Sequence, residues 1–296
     1  MPARAQDDGL YFLPLGGSGE IGMNLNLYKT ESTWLMVDCG ISFADNYLPG
    51  IDLIMPNTNY IEQRRDKLAG LIITHAHEDH VGALVHLWPR FRCPVYATPF
   101  TMILIRLKLG AAGLLDQVPL IEVPLEGRVE VGPFTVDFLS LTHSIPEPNA
   151  VRITTKAGTI FHTGDWKLDP DPLVGAKTDT ARMTQMGDEG VLALVCDSTN
   201  VFNATASGSE SKVRENITRI LSEKKGKVFC ATFSSNVARV DTLAQAARQN
   251  GREICLVGRS LKRNVAAARE AGYLKNFPNM VDERDAGYLP NEKILY

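Results

Sequence analysis

The sequence has little of what marks a secreted or membrane protein. Its five cysteines (Cys39, Cys93, Cys196, Cys230, Cys255) are scattered and form no C-x-x-C pair. The odd count argues against a disulfide framework and for a reducing compartment. Three of these cysteines sit in apolar runs, VDCG, LALVCDS and VFCATF, and read as buried thiols. No uncharged stretch approaches transmembrane length, and the opening MPARAQDDG has no apolar signal core, so a cytoplasmic protein without a membrane partner is expected. A net charge of -3 gives no global basic signature, although a local basic groove is compatible with it. Internal repeats and low-complexity segments are missing too. What is present, 296 residues with 44% hydrophobic and 22% charged, is the composition of one large globular domain or two ordinary ones.

Three textures follow one another. Residues 1–9 read as a polar, mobile lead-in, followed by YFLPL and the glycine-rich GGSGEIG. NLNLYKT and TWLMVDCG read as paired strands, and KLAGLIITH as a buried strand ending at His75. EDHVGALVHLW reads as one helix with Val81, Leu84, Val85 and Trp88 at helical spacing. PVYAT is a strand, and TPFTMILIRLKLG a helix stopped by Gly110. PLIEV, FTVDFLSLTH, AVRITT and GTIFHTGD form a run of strands, so helices facing two sheets are expected. After residue 205 comes regular alternation: helix SESKVRENITRILSEKK, strand KVFCATF, helix NVARVDTLAQAARQN, strand EICLVG and helix SLKRNVAAAREAGYL. That order predicts a parallel, doubly wound α/β unit. NEKILY reads as the opening of another strand, so the chain is expected to be a portion of a longer one.

Six histidines are present, and three crowd into HAHEDH. Imidazole and carboxylate are the donors of a zinc-type site. His75 and His77 alternate on the segment after a strand and can point to one side. Asp79 and His80 fall at a first helical turn and can face a second ion. His143, in SLTHSIPE, and Asp165, in FHTGDW, stand at ends of further strands. Each oxygen of Asp165 can bind one of two ions. Two such cations can clamp an in-line displacement on an anionic centre. His86 and His162 read as packing or supporting groups, and His162 can orient a ligand. Asp38, in LMVDCG, reads either as a hydrogen-bond partner of a ligand histidine or as a turn-forming aspartate. TFSSN, residues 232–236, reads as a helix-capping loop that can also receive phosphate.

HAHEDH followed by LTHS and HTGD resembles the metallo-β-lactamase superfamily. LGGSGEIGMN, VDCG, DSTN, GSE and ATFSSNVAR narrow the resemblance to the β-CASP nucleases of the bacterial ribonuclease J type. The resemblance implies a four-layer αββα fold, residues 10–205, with a doubly wound β-CASP domain inserted from 206 to 296 and truncated there. It implies that His75, His77, His143 and Asp165 hold one ion, and Asp79, His80 and Asp165 a second. Zinc leads as the metal, with manganese or magnesium as alternatives. Glu210 matches the acidic residue that opens the β-CASP motifs and joins Asp79 and Asp165 as a catalytic candidate. Thr232, Ser234, Ser235 and Asn236 match an RNA-binding loop. Two further histidine motifs, the returning part of the lactamase core and a C-terminal dimerisation domain do not appear, so the second ion lacks one expected histidine.

The leading expectation is a two-metal ribonuclease acting on single-stranded, 5′-monophosphorylated RNA, as exonuclease, endonuclease or both, through a metal-activated hydroxide. Its full-length form is expected to be a homodimer or homotetramer, and residues 1–296 alone to have weak or no activity. The alternatives are a small-molecule metallo-hydrolase, such as a lactamase or thioester hydrolase, and a non-catalytic RNA-binding scaffold. The unit after residue 205 disfavours the first, and the intact ligand set the second.

Overall fold

The computed structural model describes residues 9–296, so the lead-in expected at 1–9 lies, but for Gly9, outside the described residues. The chain divides into two compact units. The first runs to Leu141 and adds Glu147–Trp166 and Asp179–Phe202; the second comprises Thr142–Pro146, Lys167–Thr178 and Asn203–Tyr296.

In the first unit, β1 (Leu10–Gly16), β2 (Leu25–Thr30) and β3 (Thr33–Val37) are antiparallel neighbours. A small hairpin of β4 (Ser42–Phe43) and β5 (Leu53–Ile54) follows. β6 (Leu68–Ile72), β7 (Val95–Ala97) and β8 (Leu120–Glu122) then extend the first sheet in parallel, in the order β1-β2-β3-β6-β7-β8. The second sheet contains β9 (Arg128–Val131), β10 (Phe134–Ser140), β11 (Asn149–Thr155), β12 (Gly158–His162) and β13 (Ala193–Val195), in the reverse spatial order.

Strand alternation sends neighbouring side chains to opposite faces and thereby builds the layers. Tyr28, Leu35 and Val37 pack with Phe134, Val136, Phe138, Val151 and Ile153 between the sheets. Leu25, Leu27, Trp34 and Met36 face the other way, against Leu84, Leu87, Trp88, Phe91, Met102 and Ile105. Those partners lie on α3 (Leu84–Phe91) and α4 (Pro99–Ala111), which follow the one-turn helices α1 (Asn59–Glu62) and α2 (Glu78–Val81). On the far face of the second sheet, Leu139, Ala150 and Phe161 pack with Met186 of α5 (Thr180–Asp188). The result is the four-layer αββα order.

The structure corrects the single helix expected over EDHVGALVHLW, which breaks at Gly82–Ala83 into α2 and α3. The carbonyls of Glu78, Asp79 and His80 accept N–H groups from Ile41, Asn24 and Cys39, and the Ala83 N–H turns to the Cys39 carbonyl. The backbone ladder is thereby diverted into the neighbouring loop. Gly40 permits that approach, since a Cβ there would lie 1.6 Å from the Asp79 carbonyl oxygen. His86 is exposed on α3, opposite the face that buries Leu84, Leu87 and Trp88, so it is neither a packing nor a supporting group.

The second unit holds α6 (Glu210–Ser222), α7 (Val237–Gln249), β14 (Glu253–Ile254), α8 (Arg259–Glu270), α9 (Glu283–Ala286) and β15 (Ile294–Leu295). β14 and β15 pair in parallel, and parallel bridges add Val228 beside Leu295 and Met280 beside Ile254. The strand expected over KVFCATF reduces to that bridge at Val228, with the Tyr296 N–H donating to the Val228 carbonyl and the Cys230 N–H to the Tyr296 carbonyl. Two cysteine expectations also change: Cys196 is exposed and Cys230 only half-buried, while Cys39, Cys93 and Cys255 are buried.

Candidate metal centre

The centre starts where β3 and β6 end side by side. Asp38, just beyond β3, is wholly buried with φ +63°, a left-handed conformation that a non-glycine residue adopts at a cost. Hydrogen bonds hold it there. Its N–H donates to the Ile72 carbonyl, and its Oδ1 accepts the Thr74 N–H at 2.8 Å. Its Oδ2 lies 2.7 Å from His80 Nδ1 and 2.9 Å from the Thr74 hydroxyl. Of the two sequence readings of Asp38, the structure thus shows the histidine partner. With Nδ1 taken by Asp38, His80 is left with Nε2 facing the site.

His75, His77, Asp79, His80 and Asp165 converge in the first unit. His75 Nε2 lies 3.1 Å from His77 Nδ1 and 4.0 Å from Asp165 Oδ2. His80 Nε2 lies 3.2 Å from Asp165 Oδ1 and 3.5 Å from Asp79 Oδ2. The two oxygens of Asp165 therefore face two different donor groups. Ligand atoms of Asp79, His80 and Asp165 all lie within 4.8 Å of one another, as do those of His75, His77 and Asp165. Imidazole nitrogen and carboxylate oxygen at such separations fit a divalent cation.

Charge follows from this crowding. Burial alone would lower the His80 pKa, but Asp38, with Asp165 and Asp79 beside it, raises it well above the usual histidine value. Burial opposes ionisation of Asp79, yet its hydrogen bond to His80 and the charge there hold it below the usual carboxylate range. His162 sits on β12 with Nδ1 2.8 Å from the Tyr28 hydroxyl, and burial lowers its pKa to about 4. A cavity of ≈ 550 Å³ opens onto the site, walled by the glycine loop 17–22, Asn24, Asp79, His80, Asp165 and residues 195–199.

His143 stands two residues beyond Leu141, in the segment Thr142–Pro146 that groups with the second unit. Within that unit, Glu210 is buried at the start of α6 with both carboxylate oxygens on Arg239, at 2.7 and 3.1 Å. Its N–H donates to Asp169, and Ser209 caps the helix. In the TFSSN loop, Asn236 Oδ1 accepts the Arg239 N–H at 2.9 Å, so the capping reading of this loop holds for Asn236. Thr232, Ser234 and Ser235 lie half-buried just ahead of that cap.

Sequence reasoning missed Asn24 and Thr74. Asn24 Nδ2 donates to the Asp79 carbonyl at 3.1 Å and lies 3.2 Å from His80 Nε2. The only signal for it was its place two residues after Gly22, the last glycine of the run.

Residues 23–220 match the model of the metallo-beta-lactamase superfamily. The chain belongs to that superfamily. Residues 225–296 of this metallo-β-lactamase chain match a second model, the ribonuclease J β-CASP domain. The chain is 46% identical to ribonuclease J of Sinorhizobium meliloti, over 98% of its own length and 52% of the relative's. It is 40% identical to ribonuclease J of Mycolicibacterium smegmatis, over 97% of its own length and 51% of the relative's. The chain thus spans about half the length of these relatives. Among solved structures, a protein of unknown function from Enterococcus faecalis V583 superposes with a TM-score of 0.63 at 14% identity, covering 97% of this chain and 77% of that one. That likeness concerns the fold alone. Among the described residues, no helix is long and apolar enough to cross a membrane.

Proposed function

We propose that this chain is part of a metal-dependent ribonuclease that hydrolyses phosphodiester bonds of single-stranded RNA, as a 5′-to-3′ exonuclease, an endonuclease or both. The observation that carries this reading is the Asp165 carboxylate, turned with one oxygen to His80 and the other to His75, in a chain whose residues 225–296 match the ribonuclease J β-CASP domain. His75, His77, His143 and Asp165 would then hold one divalent cation, and Asp79, His80 and Asp165 would hold a second. Zinc is favoured over manganese or magnesium because imidazole dominates the donor set. His143 is supported by the ends of its loop: the Leu141 N–H donates to the Pro148 carbonyl, and the Asn149 N–H to the carbonyl of Thr74, next to His75.

Two cations bound here would neutralise charge on the phosphoryl oxygens and make a hydroxide nucleophile available near neutral pH. The chain's own groups set the stage for that chemistry. Asp38 Oδ2 accepts a hydrogen bond from the Nδ1–H of His80 and so fixes its tautomer. Asp79, held ionised beside His80, can accept a proton at its carboxylate. Glu210 contributes by holding Arg239 and the α7 cap in place. Thr232, Ser234, Ser235 and Asn236 offer hydroxyls and the N-terminus of a 13-residue helix to an RNA phosphate. The lactamase part is assigned to residues 10–205 and the β-CASP part to 206–296. The substrate is proposed to carry a 5′-monophosphate, the location to be cytoplasmic, and the longer protein to be a homodimer or homotetramer. A small-molecule hydrolase gains no support from the β-CASP match.

The test uses the longer enzyme on a 5′-monophosphorylated single-stranded RNA. Cleavage is expected to stop with EDTA, to return with added Zn²⁺ or Mn²⁺, and to be lost in His77→Ala. Cleavage that survives both EDTA and His77→Ala would sink the reading.

A further inference from the structure

The glycine-rich stretch GGSGEIG has no part in the mechanism above, yet it walls the same cavity as Asp79, His80 and Asp165. We infer, on the two-cation reading of this site, that the loop seats Asn24 as a positioning residue for the ligands of the second cation.

Asn24 is pinned by its main chain on both sides. Its N–H donates to the Asp79 carbonyl at 2.9 Å, and its own carbonyl accepts the Gly40 N–H at 2.9 Å. Those bonds alone would hold the segment in place. The side chain goes further: Nδ2 donates to the Asp79 carbonyl at 3.1 Å and lies 3.4 Å from Asp79 Oδ2 and 3.2 Å from His80 Nε2. Asp38 occupies the opposite nitrogen of His80, so Asn24 faces the nitrogen left for a ligand role. An amide N–H₂ set against the Asp79 carbonyl and carboxylate and beside the His80 ring keeps both side chains pointed at one spot. Outer partners of metal ligands do the same work elsewhere.

The loop sequence follows from this seat. Gly17 has φ +84°, and a Cβ there would lie 2.2 Å from Asn24 Oδ1, so any side chain at position 17 drives Asn24 off its ligands. The Gly17 N–H donates to Glu20 Oε1 at 3.1 Å, which closes the turn.

The test is a titration of the metal-free full chain with Co²⁺, reading two binding steps from visible absorption. Asn24→Ala is expected to weaken the second step by about 10- to 100-fold and leave the first unchanged. Asn24→Leu keeps the bulk but removes both amide donors, and is expected to weaken the second step as Asn24→Ala does. Gly17→Ala is expected to copy the loss seen in Asn24→Ala. Two steps in the wild type that persist unchanged in Asn24→Ala and Gly17→Ala overturn the role of Asn24 and leave the two-cation reading standing. A wild type with a single step overturns the two-cation reading itself. Should far-UV circular dichroism show Asn24→Ala unfolded, Asn24→Leu and Gly17→Ala decide alone; an unchanged second step in both overturns the role.

Discussion

The two ends of the chain are built on opposite principles. Residues 1–205 carry 15 Lys and Arg against 24 Asp and Glu, a net of -9, whereas residues 206–296 carry 16 against 10, a net of +6. The largest fully buried side chains, Tyr28, Phe91, Phe100, Phe134 and Phe138 among them, all lie in the first unit. The second unit buries Ala244, Ala246, Ala247, Ala267 and Ala268, and leaves Phe229, Phe233 and Tyr288 72%, 83% and 89% exposed. An acidic unit with a thick aromatic core suits a rigid cluster of cation donors. A basic unit with a thin core suits a polyanion, whose contacts are spread out and need no such rigidity.

The sharpest test of that contrast is a pair of truncations. Phe138→Ala is expected to cost about 3–5 kcal/mol, because it empties a site between the two sheets. Phe229→Ala, at an exposed ring, is expected to stay within about 0.5 kcal/mol of the wild type. Urea denaturation of both variants measures this, and equal costs would break the contrast.

Asp38→Asn tests how the acidic unit prepares its donors. Asparagine tolerates the left-handed backbone, so the fold is expected to survive. Metal affinity is expected to fall about 10- to 100-fold because His80 loses its anionic partner. In the metal-free protein Asp38 favours the protonated form of His80, so cation binding is expected to displace a proton. Calorimetry in buffers of different ionisation heat should show that proton release in the wild type and less of it in Asp38→Asn.

The basic unit has its own pH dependence through Asp169. Burial raises the pKa of this carboxyl, but Ser209, the N–H groups of Asp171 and Glu210, and Lys167 together bring it down to about 2. A depressed folded pKa stabilises above the unfolded value of roughly 4 and is lost as pH falls from there toward 2. Asp169→Asn is expected to remove about 2 kcal/mol at neutral pH and to flatten the acid limb of a stability profile. The smallest effect belongs to single surface charges. If RNA runs over the basic unit, Lys225→Ala is expected to reduce the salt slope of binding by roughly 0.7, read by fluorescence anisotropy. An unchanged slope removes Lys225 from the RNA path.

The strands were legible as apolar, β-favouring runs bounded by turns, because β2 and β3 bury both faces, Leu25, Leu27, Trp34 and Met36 on one side and Tyr28, Leu35 and Val37 on the other. His75, His77, Asp79 and His80 could be singled out as candidate donors because HAHEDH packs them into one short run, and Asp165 by its place in FHTGDW. What lay hidden depended on partners distant in sequence. The break at Gly82 comes from carbonyls claimed by the loop around Asn24 and Cys39, and nothing in EDHVGALVHLW announces it. Asn24 contacts Asp79 across 55 residues, so its role has no local pattern. α5 escaped because KTDTARMTQM shows no broad apolar stripe; only Met186 is buried, and the Asp179 cap is its one local signal. KVFCATF misled in the opposite direction: it is apolar, yet within it only Val228 bridges to β15.

The stitching of α2 to the segment around Gly40 also sets a clock. The amide hydrogens of Asn24, Cys39 and Ile41 are all held by carbonyls of the ligand turn. They can meet solvent only when that turn pulls away, and the turn is bound to the ends of β3 and β6. Deuterium should therefore enter these three amides at the rate at which the whole first unit opens, even with no metal bound. A site assembled by the ion itself would let them exchange first.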